Sequence, residues 1–293
     1  MVQRKLLRAI ALVLFCWPWS ANPAAEPPEP LPTLEQLLPR MARVAGLYRD
    51  QALKFTCDET IYYTGARGPS VHKFKYIYRY SEDEAKLLDY RTLRGRAGRK
   101  SDAAQERAAL EHYGIPVYLL RAYSWVFVFS ESVQPSYGYS IEGEEVVLGR
   151  PAVRLRFEAQ PPYREGVNDW YGTAWIDRST HQILRIEALR AEEREQELLL
   201  AKSIEAAEAA TSSSSYRGTY TFSRYTTEFD VQQNGMRFPG RVVIERSSHT
   251  VRGGRGKGGV SEEMLFRITQ SYKKYRFFGV RTAEQIHSIV EGR

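Results

Sequence analysis

Cysteine is nearly absent from this chain of 293 residues, which contains only Cys16 and Cys57. Cys16 falls in an N-terminal segment that we predict is removed, so a single thiol remains in the rest of the chain. One cysteine cannot form an internal disulfide, and stability has to come from a packed apolar core. A chain of this length can bury most of the surface that its unfolded form exposes.

Motifs that fix a chemistry are absent as well. The chain has no Gly-x-Ser-x-Gly nucleophile turn and no phosphate-binding loop. Its five histidines stand singly, without the spacing of a metal site: His72, His112, His181, His249 and His287. Cys57 has no histidine near it in sequence, which favours a buried, inert thiol. We therefore predict a protein that is not an enzyme, with no catalytic residue, no metal site and no cofactor.

Two pairs of carboxylates could in principle supply an acid and a base: Asp58 with Glu59, and Asp169 with Asp177. In a β-rich chain with many charged residues, such side chains more often cap turns or lie on solvated faces. Asp177 directly precedes a turn, and its carboxylate can accept hydrogen bonds from the turn backbone. We adopt this structural interpretation for both pairs.

A long apolar run is missing too. The apolar stretch at residues 9–19 is shorter than the roughly 20 residues of a membrane-spanning helix, and Pro18 interrupts it. Basic residues precede this stretch and small residues follow it, which is the order of a secretory signal peptide. We predict a signal peptide at residues 1–25, cut between Ala21 and Ala25. The expected product is periplasmic, with no transmembrane segment after cleavage.

Positive charge is present only in modest excess. The formal net charge of +7 includes Arg4, Lys5 and Arg8 of the signal peptide, and the seven charges fall to four when these three are removed. An excess of this size does not indicate nucleic-acid binding.

Cys16 follows Leu14 and Phe15 rather than small residues, so we do not expect it to carry a lipid.

The first predicted helix follows a Pro-rich tether at residues 26–32. Thr33 and Gln36 have the spacing of a capping box, and apolar residues then recur along one stripe. This stripe consists of Leu34, Leu37, Leu38, Met41, Val44 and Tyr48. Pro39 predicts a kink or a restart of the helix, which should end before Phe55.

Strands are predicted from residue 71 onward, where the apolar period changes to two. Three hairpins are predicted from turns at residues 149–151, 178–181 and 234–235, and the last is Asn-Gly, the strongest short hairpin signal. Val153, Leu155 and Phe157 alternate with charged residues without error. Consecutive hairpins predict an antiparallel meander. In the final strand, the alternation of apolar and polar residues shifts by one position near Lys273, which predicts a bulge there.

Other segments complete a single β-rich domain at residues 33–293. A second helix is predicted at residues 102–112 from its capping-box spacing. The run at residues 125–129 is apolar on both faces, which predicts a central strand or an aromatic-rich wall. Residues 189–215 form a charged excursion, helical around 198–207, and residues 252–259 form a Gly/Arg-rich loop.

Several motifs resemble those of a known group of proteins. They are Phe55-Thr56-Cys57-Asp58-Glu59-Thr60, Gly149-Arg150-Pro151-Ala152-Val153, Tyr171-Gly172-Thr173-Ala174-Trp175-Ile176-Asp177, Ile183-Leu184-Arg185-Ile186-Glu187, Arg237-Phe238-Pro239 and Tyr272-Lys273-Lys274-Tyr275-Arg276-Phe277. With these motifs, the chain resembles uncharacterised exported proteins of acidobacterial type that are related to outer-membrane lipoprotein-sorting proteins. The resemblance covers most of the chain after the signal peptide.

This resemblance implies a mainly β fold with flanking helices. The expected architecture is an antiparallel curved sheet or half-open β-barrel with an N-terminal helix. The better-known carriers of the group hold acyl chains in an apolar cavity, so the implied ligand is a lipid or a lipoprotein. This chain is longer than those carriers and adds the charged excursion and the Gly/Arg-rich loop. Transfer of lipoproteins in particular is therefore not implied.

Aromatic strands provide the candidate ligand site. Nine side chains should line one concave apolar cavity: Phe74, Tyr76, Tyr78, Tyr80, Trp125, Phe127, Phe129, Leu155 and Phe157. The alternative is that these rings fill the core against the N-terminal helix. We hypothesise a non-enzymatic periplasmic binding or carrier protein for an apolar ligand, either a lipid or an acylated protein. The alternative function is a structural or interaction module that binds another envelope protein.

Overall fold

A ten-stranded antiparallel sheet dominates the structure, which is a computed structural model. The structure describes residues 30–50, 54–66, 68–81, 86–93, 122–162, 169–209, 216–253, 259–278 and 283–292. The predicted signal peptide, tether residues 26–29, the predicted helix at 102–112 and loop residues 254–258 lie outside the described residues. Leu31–Arg293 form one compact unit. Within the described ranges, no helix combines the length and the apolarity needed to cross a membrane.

Twelve strands are present in the described ranges. They are β1 (Phe55–Gly65), β2 (Ser70–Ser81), β3 (Lys86–Leu93), β4 (Tyr137–Val147), β5 (Arg150–Ala159), β6 (Trp170–Asp177), β7 (Ile183–Arg190), β8 (Tyr216–Glu228), β9 (Val231–Gln233), β10 (Met236–Phe238), β11 (Arg241–Gly253) and β12 (Gly259–Phe277). The large sheet has the order β3-β2-β1-β12-β11-β8-β7-β6-β5-β4. Its edge strands β3 and β4 do not pair with each other, so the curved sheet stays open. The predicted mainly β, half-open architecture is confirmed.

Helix α1 (Leu34–Asp50) covers one face of the sheet, which we call the inner face. The Thr33 amide donates a hydrogen bond to Gln36 Oε1 at 3.0 Å, which confirms half of the capping box. The helix continues through Pro39, so the restart, which was one of the two predicted alternatives, does not occur. Pro39 is exposed, and the apolar stripe packs on the sheet across the proline. Packing therefore outweighs the one hydrogen bond that proline removes.

Residues 125–129 are not a strand, which corrects the first of the two alternatives predicted for this run. They belong to a 3₁₀ helix, Ser124–Phe129, that lies against the inner face. Buried side chains on this short helix are Trp125, Val126, Val128 and Phe129. A run that is apolar on both faces has no period, so the sequence alone could not distinguish a strand from a helical turn.

The turns confirm two of the three predicted hairpins. β4 and β5 join at Leu148 and Gly149, whose φ values of 51° and 72° place a tight turn one residue earlier than predicted. β6 and β7 pair as predicted. Asn234 and Gly235 also turn the chain, but they join only the short strands β9 and β10, which form a separate sheet. β8 pairs directly with β11, so the third hairpin is longer and carries an inserted small one.

Two further helices flank the sheet. Helix α2 (Arg194–Ala209) starts earlier in the charged excursion than predicted, and it packs on β8 and β11. It covers a second apolar cluster on the outer face, formed by Tyr171, Leu189, Leu200, Tyr220, Phe222 and Val251. Residues 210–215 lie outside the described residues. Helix α3 (Ala283–Glu291), which the sequence reasoning missed, packs against α1.

The predicted bulge in the final strand is confirmed. The pairing of β1 with β12 shifts register between Thr56 and Asp58, opposite Lys274, whose φ is 56°. This position is next to Lys273, where the parity of the sequence slips. The extra residue lets Tyr272, Tyr275 and Phe277 all take part in the core of the inner face.

Candidate functional site

Aromatic rings form a layer on the inner face of the sheet. The ring centroid of Phe55 in β1 lies 5.1 Å from that of Tyr78 and 5.6 Å from that of Tyr123. The ring of Phe238 lies 5.5 Å from that of Phe55 on another side. Fully buried rings on this face include Tyr48, Phe55, Phe74, Tyr76, Tyr78, Tyr123, Tyr225, Phe229, Phe238 and Tyr272. All of these rings belong to one apolar core cluster, and most of them pack edge-on, tilted or stacked on another ring of the layer.

Five of the predicted cavity residues lie on β2 and β5 with their side chains toward the inner face. Phe74, Tyr76 and Tyr78 on β2 are 0% exposed, and so are Leu155 and Phe157 on β5. All five belong to the same core cluster. Strand alternation thus places them on one side, as the parity of the sequence predicts.

The other predicted residues have different positions. Tyr80 lies in β2, but its side chain is outside the described residues. Trp125 packs edge-on to Trp170 at 4.5 Å, and Phe129 packs on Phe157 at 5.7 Å. Phe127 is partly buried against the same core. The 3₁₀ helix therefore brings its rings to the inner face from above, instead of lining that face from within the sheet.

The inner face is closed by a roof, which we define as helix α1 together with residues 122–130. Tyr78 in β2 donates its hydroxyl hydrogen bond to the backbone carbonyl of Tyr48 in α1. Tyr139 in β4 donates to the carbonyl of Val128 at 2.8 Å. The hydroxyls of Tyr123 and Tyr275 bond each other at 2.6 Å. Side chains of the sheet hold the roof at these three points.

The backbone of residues 122–130 bonds within the segment and to the residues directly after it, where the amides of Val133 and Gln134 donate to the carbonyl of Ser130. The amide of Val126 donates to the carbonyl of Tyr123, and the amide of Ser130 donates to the carbonyl of Phe127. Trp125 Nε1 is buried and has no hydrogen-bond partner in the described part of the chain. A buried donor without an acceptor costs about 1–3 kcal/mol. Residues 122–130 are therefore largely apolar, side chains hold them to the sheet, and one of their buried hydrogen-bond donors has no acceptor.

Three surface clefts are lined by residues other than the nine predicted ones. A cleft of about 450 Å³ lies beside Tyr139 and Arg156 at the β4–β5 edge. Another of about 390 Å³ lies beside Trp175 and Arg185 on the outer face. A third of about 560 Å³ borders Ile289 of α3. The fully buried rings show that the structure represents a state in which the described part of the aromatic layer is covered.

A buried polar network lies beside the aromatic layer, between β3 and the centre of the sheet. Arg91 donates to the carboxylate of Glu59 at 2.6 and 3.0 Å, and Gln270 donates to the same carboxylate at 3.0 Å. Tyr76 donates to Asp89 at 2.6 Å. Burial lowers the pKa of Arg91, but the carboxylates of Glu59 and Asp89 outweigh burial and raise that pKa well above its ordinary value. Arg91 is therefore charged.

A second polar cluster joins α1 to α3 and to the β6–β7 turn. Arg40 bonds His181 Nε2 at 3.1 Å and pairs with Glu291 at 3.2 Å. Arg43 donates to the carbonyl of Val290 at 2.7 Å. Glu291 lies 3.7 Å from His181 Nδ1. Burial, followed by the charge of Arg40, lowers the pKa of His181 below its usual value of 6.5. This cluster fixes one end of the roof.

Groups that could perform covalent or acid–base chemistry are held in structural roles. Burial raises the pKa of the Cys57 thiol far above its ordinary value, so the thiol is protonated. Asp58 pairs with Lys75 at 2.6 Å on the outer face, whereas Glu59 points to the inner face. Asp177 Oδ1 accepts from the amides of Ser179 and Thr180, as its position before a turn predicts. No cluster of three metal-binding side chains occurs among the described residues.

Sequence reasoning missed several residues of the site. Phe55, Tyr123 and Phe238 contribute rings to the layer, and Glu59 and Arg91 form its buried ion pair. Glu59 carried a usable signal, because it shares the parity of buried residues along β1. A charged residue on an apolar parity needs a buried partner. Tyr123 carried no such signal, since it lies in a segment without period.

Comparison with known proteins finds likeness among solved structures. A DUF1329 family protein from Desulfovibrio piger aligns with a TM-score of 0.40 and 10% identity, over 84% of this chain and 95% of that one. A LolA superfamily protein from Nitrosomonas europaea aligns with a TM-score of 0.36 and 8% identity, over 84% and 95% of the two chains. An outer membrane lipoprotein-sorting protein domain from Vibrio parahaemolyticus aligns with a TM-score of 0.37 and 10% identity, over 87% and 100%. No protein-family model and no curated protein matches the chain.

Proposed function

We propose that the protein is a non-enzymatic binding or carrier protein of the periplasm, and that its ligand is apolar, a lipid or an acylated protein. The ligand binds to the aromatic layer beneath the roof. The observation that carries this proposal is the way residues 122–130 are attached: their backbone bonds within the segment and to Val133 and Gln134 directly after it, and side chains hold them to the sheet. Such a segment can lift without breaking a strand pairing. The signal-peptide pattern supports the compartment.

Opening the roof without a ligand is energetically unfavourable. Burying a large apolar side chain stabilises a fold by about 1.5–3 kcal/mol, so exposing four such rings to water would cost roughly 6–12 kcal/mol. The roof therefore stays closed over Phe55, Tyr76, Tyr78 and Tyr272 when no ligand is bound. An acyl chain that enters beneath the roof covers these rings in place of the roof side chains. Most of the cost of opening is thereby removed.

Trp125 supplies a polar contact for such a ligand. Its Nε1–H group is buried without an acceptor in the described residues, while its ring packs on Trp170 and Tyr225. A carboxylate or an ester carbonyl at the end of an acyl chain would accept this hydrogen bond. A free fatty acid, a phospholipid and an acylated peptide all carry such a group. An apolar ligand without one would bind more weakly.

Tryptophan fluorescence tests the proposal, because the described tryptophans lie on opposite faces. Trp125 belongs to the roof and Trp170 lies beneath it, so both indoles border the proposed site, whereas Trp175 lies on the outer face. A brominated fatty acid quenches an indole that it contacts. In the chain without its signal peptide, Trp175→Phe leaves the two inner indoles, and the double variant Trp125→Phe with Trp170→Phe leaves the outer one. We expect saturable quenching in the first variant and little in the second.

The outcomes are distinguishable. Equal quenching in both variants would mean nonspecific adsorption, and no quenching in either would contradict the proposal. Native mass spectrometry of the protein purified from its own envelope then identifies the cargo class through the mass of any co-purifying lipid or acylated peptide. A clean apo mass, with no response to added fatty acids or phospholipids, would favour the interaction module instead.

A further inference from the structure

The first residues of β12 form a free strand edge. Residues 259–264 pair with β11 on one side, from Arg252 opposite Gly259 to Ser247 opposite Met264, and Leu265 is the extra residue of a bulge before Phe266. On the other side, the pairing of β12 with β1 ends where Gly65 lies opposite Phe266. All seven residues from 259 to 265 are exposed. Within the described part of the chain, their outward N–H and C=O groups have no strand partner.

Side chains along this edge follow a pattern of apolar and acidic residues. Val260 is 47% exposed and Met264 is 52% exposed, and Glu262 lies between them on the same face. Val251, which is opposite Val260 on β11, is fully buried under α2. The cover that α2 provides therefore stops between β11 and β12. Glu263 lies next to Glu262 and points to the other face.

We propose that residues 259–265 are the docking site for an extended, basic segment of another protein, which adds to β12 as an antiparallel strand. The added strand would continue the line of β1 beyond Gly65, where the sheet already has antiparallel register. Main-chain hydrogen bonds would supply affinity. Apolar side chains would lie opposite Val260 and Met264, and two consecutive basic side chains would lie opposite Glu262 and Glu263.

The charges argue against a second copy of the chain as the occupant. Antiparallel self-pairing centred on this segment places Glu262 opposite Glu262 of the other copy, or opposite its neighbour Glu263. Like charges directly opposite each other destabilise a strand pair. The same two carboxylates attract lysine or arginine from a different chain. They therefore disfavour self-association and select a basic partner.

A blocked heptapeptide provides the probe: threonine-valine-lysine-lysine-threonine-valine-threonine, with a matched peptide in which glutamate replaces both lysines. Binding is measured by fluorescence anisotropy on the full chain without its signal peptide. We expect the basic peptide to bind the native chain. The double variant Glu262→Lys with Glu263→Lys should bind it about tenfold or more weakly and prefer the acidic peptide.

The control variant is Glu195→Lys with Glu205→Lys, which makes the same change in net charge at exposed positions of α2. Equal weakening in this control would overturn the proposal, because long-range attraction would then explain the binding. A second probe is the basic peptide with alternate amides methylated. One of the two methylation patterns should abolish binding, and binding of both methylated peptides would also overturn it. Hydrogen exchange at residues 259–265 should slow when the basic peptide binds.

This docking site goes beyond the proposed carrier function. The free edge and the aromatic layer consist of different residues, so a brominated fatty acid and the basic peptide should bind independently. Failure of fatty-acid quenching would leave the peptide experiment unaffected. A complete absence of peptide binding to the native chain would contradict only the docking proposal.

Discussion

Arg91 on the edge strand β3 reaches across β2 and donates two hydrogen bonds, of 2.6 and 3.0 Å, to the carboxylate of Glu59 on β1. The guanidinium also lies 5.0 Å from the ring centroid of Tyr76, which occupies the strand between them. The side chain of Arg91 is 5% exposed and that of Glu59 is 0% exposed. This ion pair fixes the edge of the sheet to its centre.

Removing one partner of this pair should destabilise the protein strongly. Arg91→Met leaves the Glu59 carboxylate buried without its counter-ion, and we expect a loss of about 3–5 kcal/mol in the free energy of unfolding. Urea denaturation measures this loss. Arg154→Met is the matched control, because Arg154 on β5 pairs with Glu142 on β4 at 3.1 Å and the two side chains are 45% and 27% exposed. The control should lose less than about 1 kcal/mol, and equal losses would contradict the argument.

The His181 cluster predicts a pH dependence of stability. The lowered pKa of His181 means that the folded state binds a proton less readily than the unfolded chain. Its contribution to stability is therefore complete above about pH 6.5 and is lost as the pH falls below that value. Arg43, Asp177 and Glu291 also act on the ring. Between pH 7 and pH 5, the native chain should lose stability that the His181→Asn variant does not lose.

Asparagine suits this substitution because His181 has a φ of 56°, which asparagine tolerates better than most residues. The measurement is urea unfolding at both pH values for the two proteins. His72 is the control, since burial lowers its pKa as well, and His72→Asn removes only that contribution. Parallel pH profiles for the native chain and the His181→Asn variant would contradict the prediction.

Sequence predicts the parts of this fold in which one strand face is buried and the other is solvated. On β5, Val153, Leu155 and Phe157 are 0% exposed, and the charged residues between them face solvent. On β2, the same alternation places Tyr76 and Tyr78 on the inner face. Half-burial leaves a period of two in the sequence, and that period can be read without knowledge of the neighbours.

What covers such a face cannot be read in the same way. Trp125 and Phe129 belong to a run that is apolar throughout, and only the sheet beneath them determines that the run is a 3₁₀ helix. Helix α3 is short, and its two buried residues, Ile286 and Val290, give a weak signal. Whether the aromatic face is a cavity or a covered layer depends on these elements. The predicted residues of the site were therefore easier to find than its closed state.

Gly172 on β6 predicts a case of steric overpacking. A Cβ atom at this position would lie 2.0 Å from the carbonyl oxygen of Glu187 and 2.8 Å from the Cα of Ala188 on β7. Gly172→Ala should therefore lower the free energy of unfolding by about 1–3 kcal/mol. Gly46→Ala in α1 is the matched control, because a Cβ there meets nothing within 4 Å. The control should gain about 0.5–1 kcal/mol, since alanine favours a helix. Thermal unfolding of both variants measures whether Gly172→Ala lowers the stability and Gly46→Ala raises it.

Glu193 closes the place where β7 and β8 diverge. Their pairing ends at Ala188 opposite Tyr225, and beyond it the Glu193 carboxylate accepts a hydrogen bond of 3.0 Å from the amide of Ser223. Arg246 donates to the same carboxylate at 3.0 Å. Glu193→Ala leaves the Ser223 amide without its acceptor, and we expect a loss of about 1.5–3 kcal/mol. Amide hydrogen exchange at Ser223 should become faster.

Glu192 offers a control one residue away. Its side chain is 66% exposed and pairs with Arg190 at 2.7 Å, so Glu192→Ala should change stability by less than about 1 kcal/mol. Exchange at Ser223 should stay at the native rate in this variant. If both variants accelerated exchange equally, the effect would come from the charge of the segment. If only Glu193→Ala did so, the carboxylate acts as the acceptor that a neighbouring strand would otherwise provide.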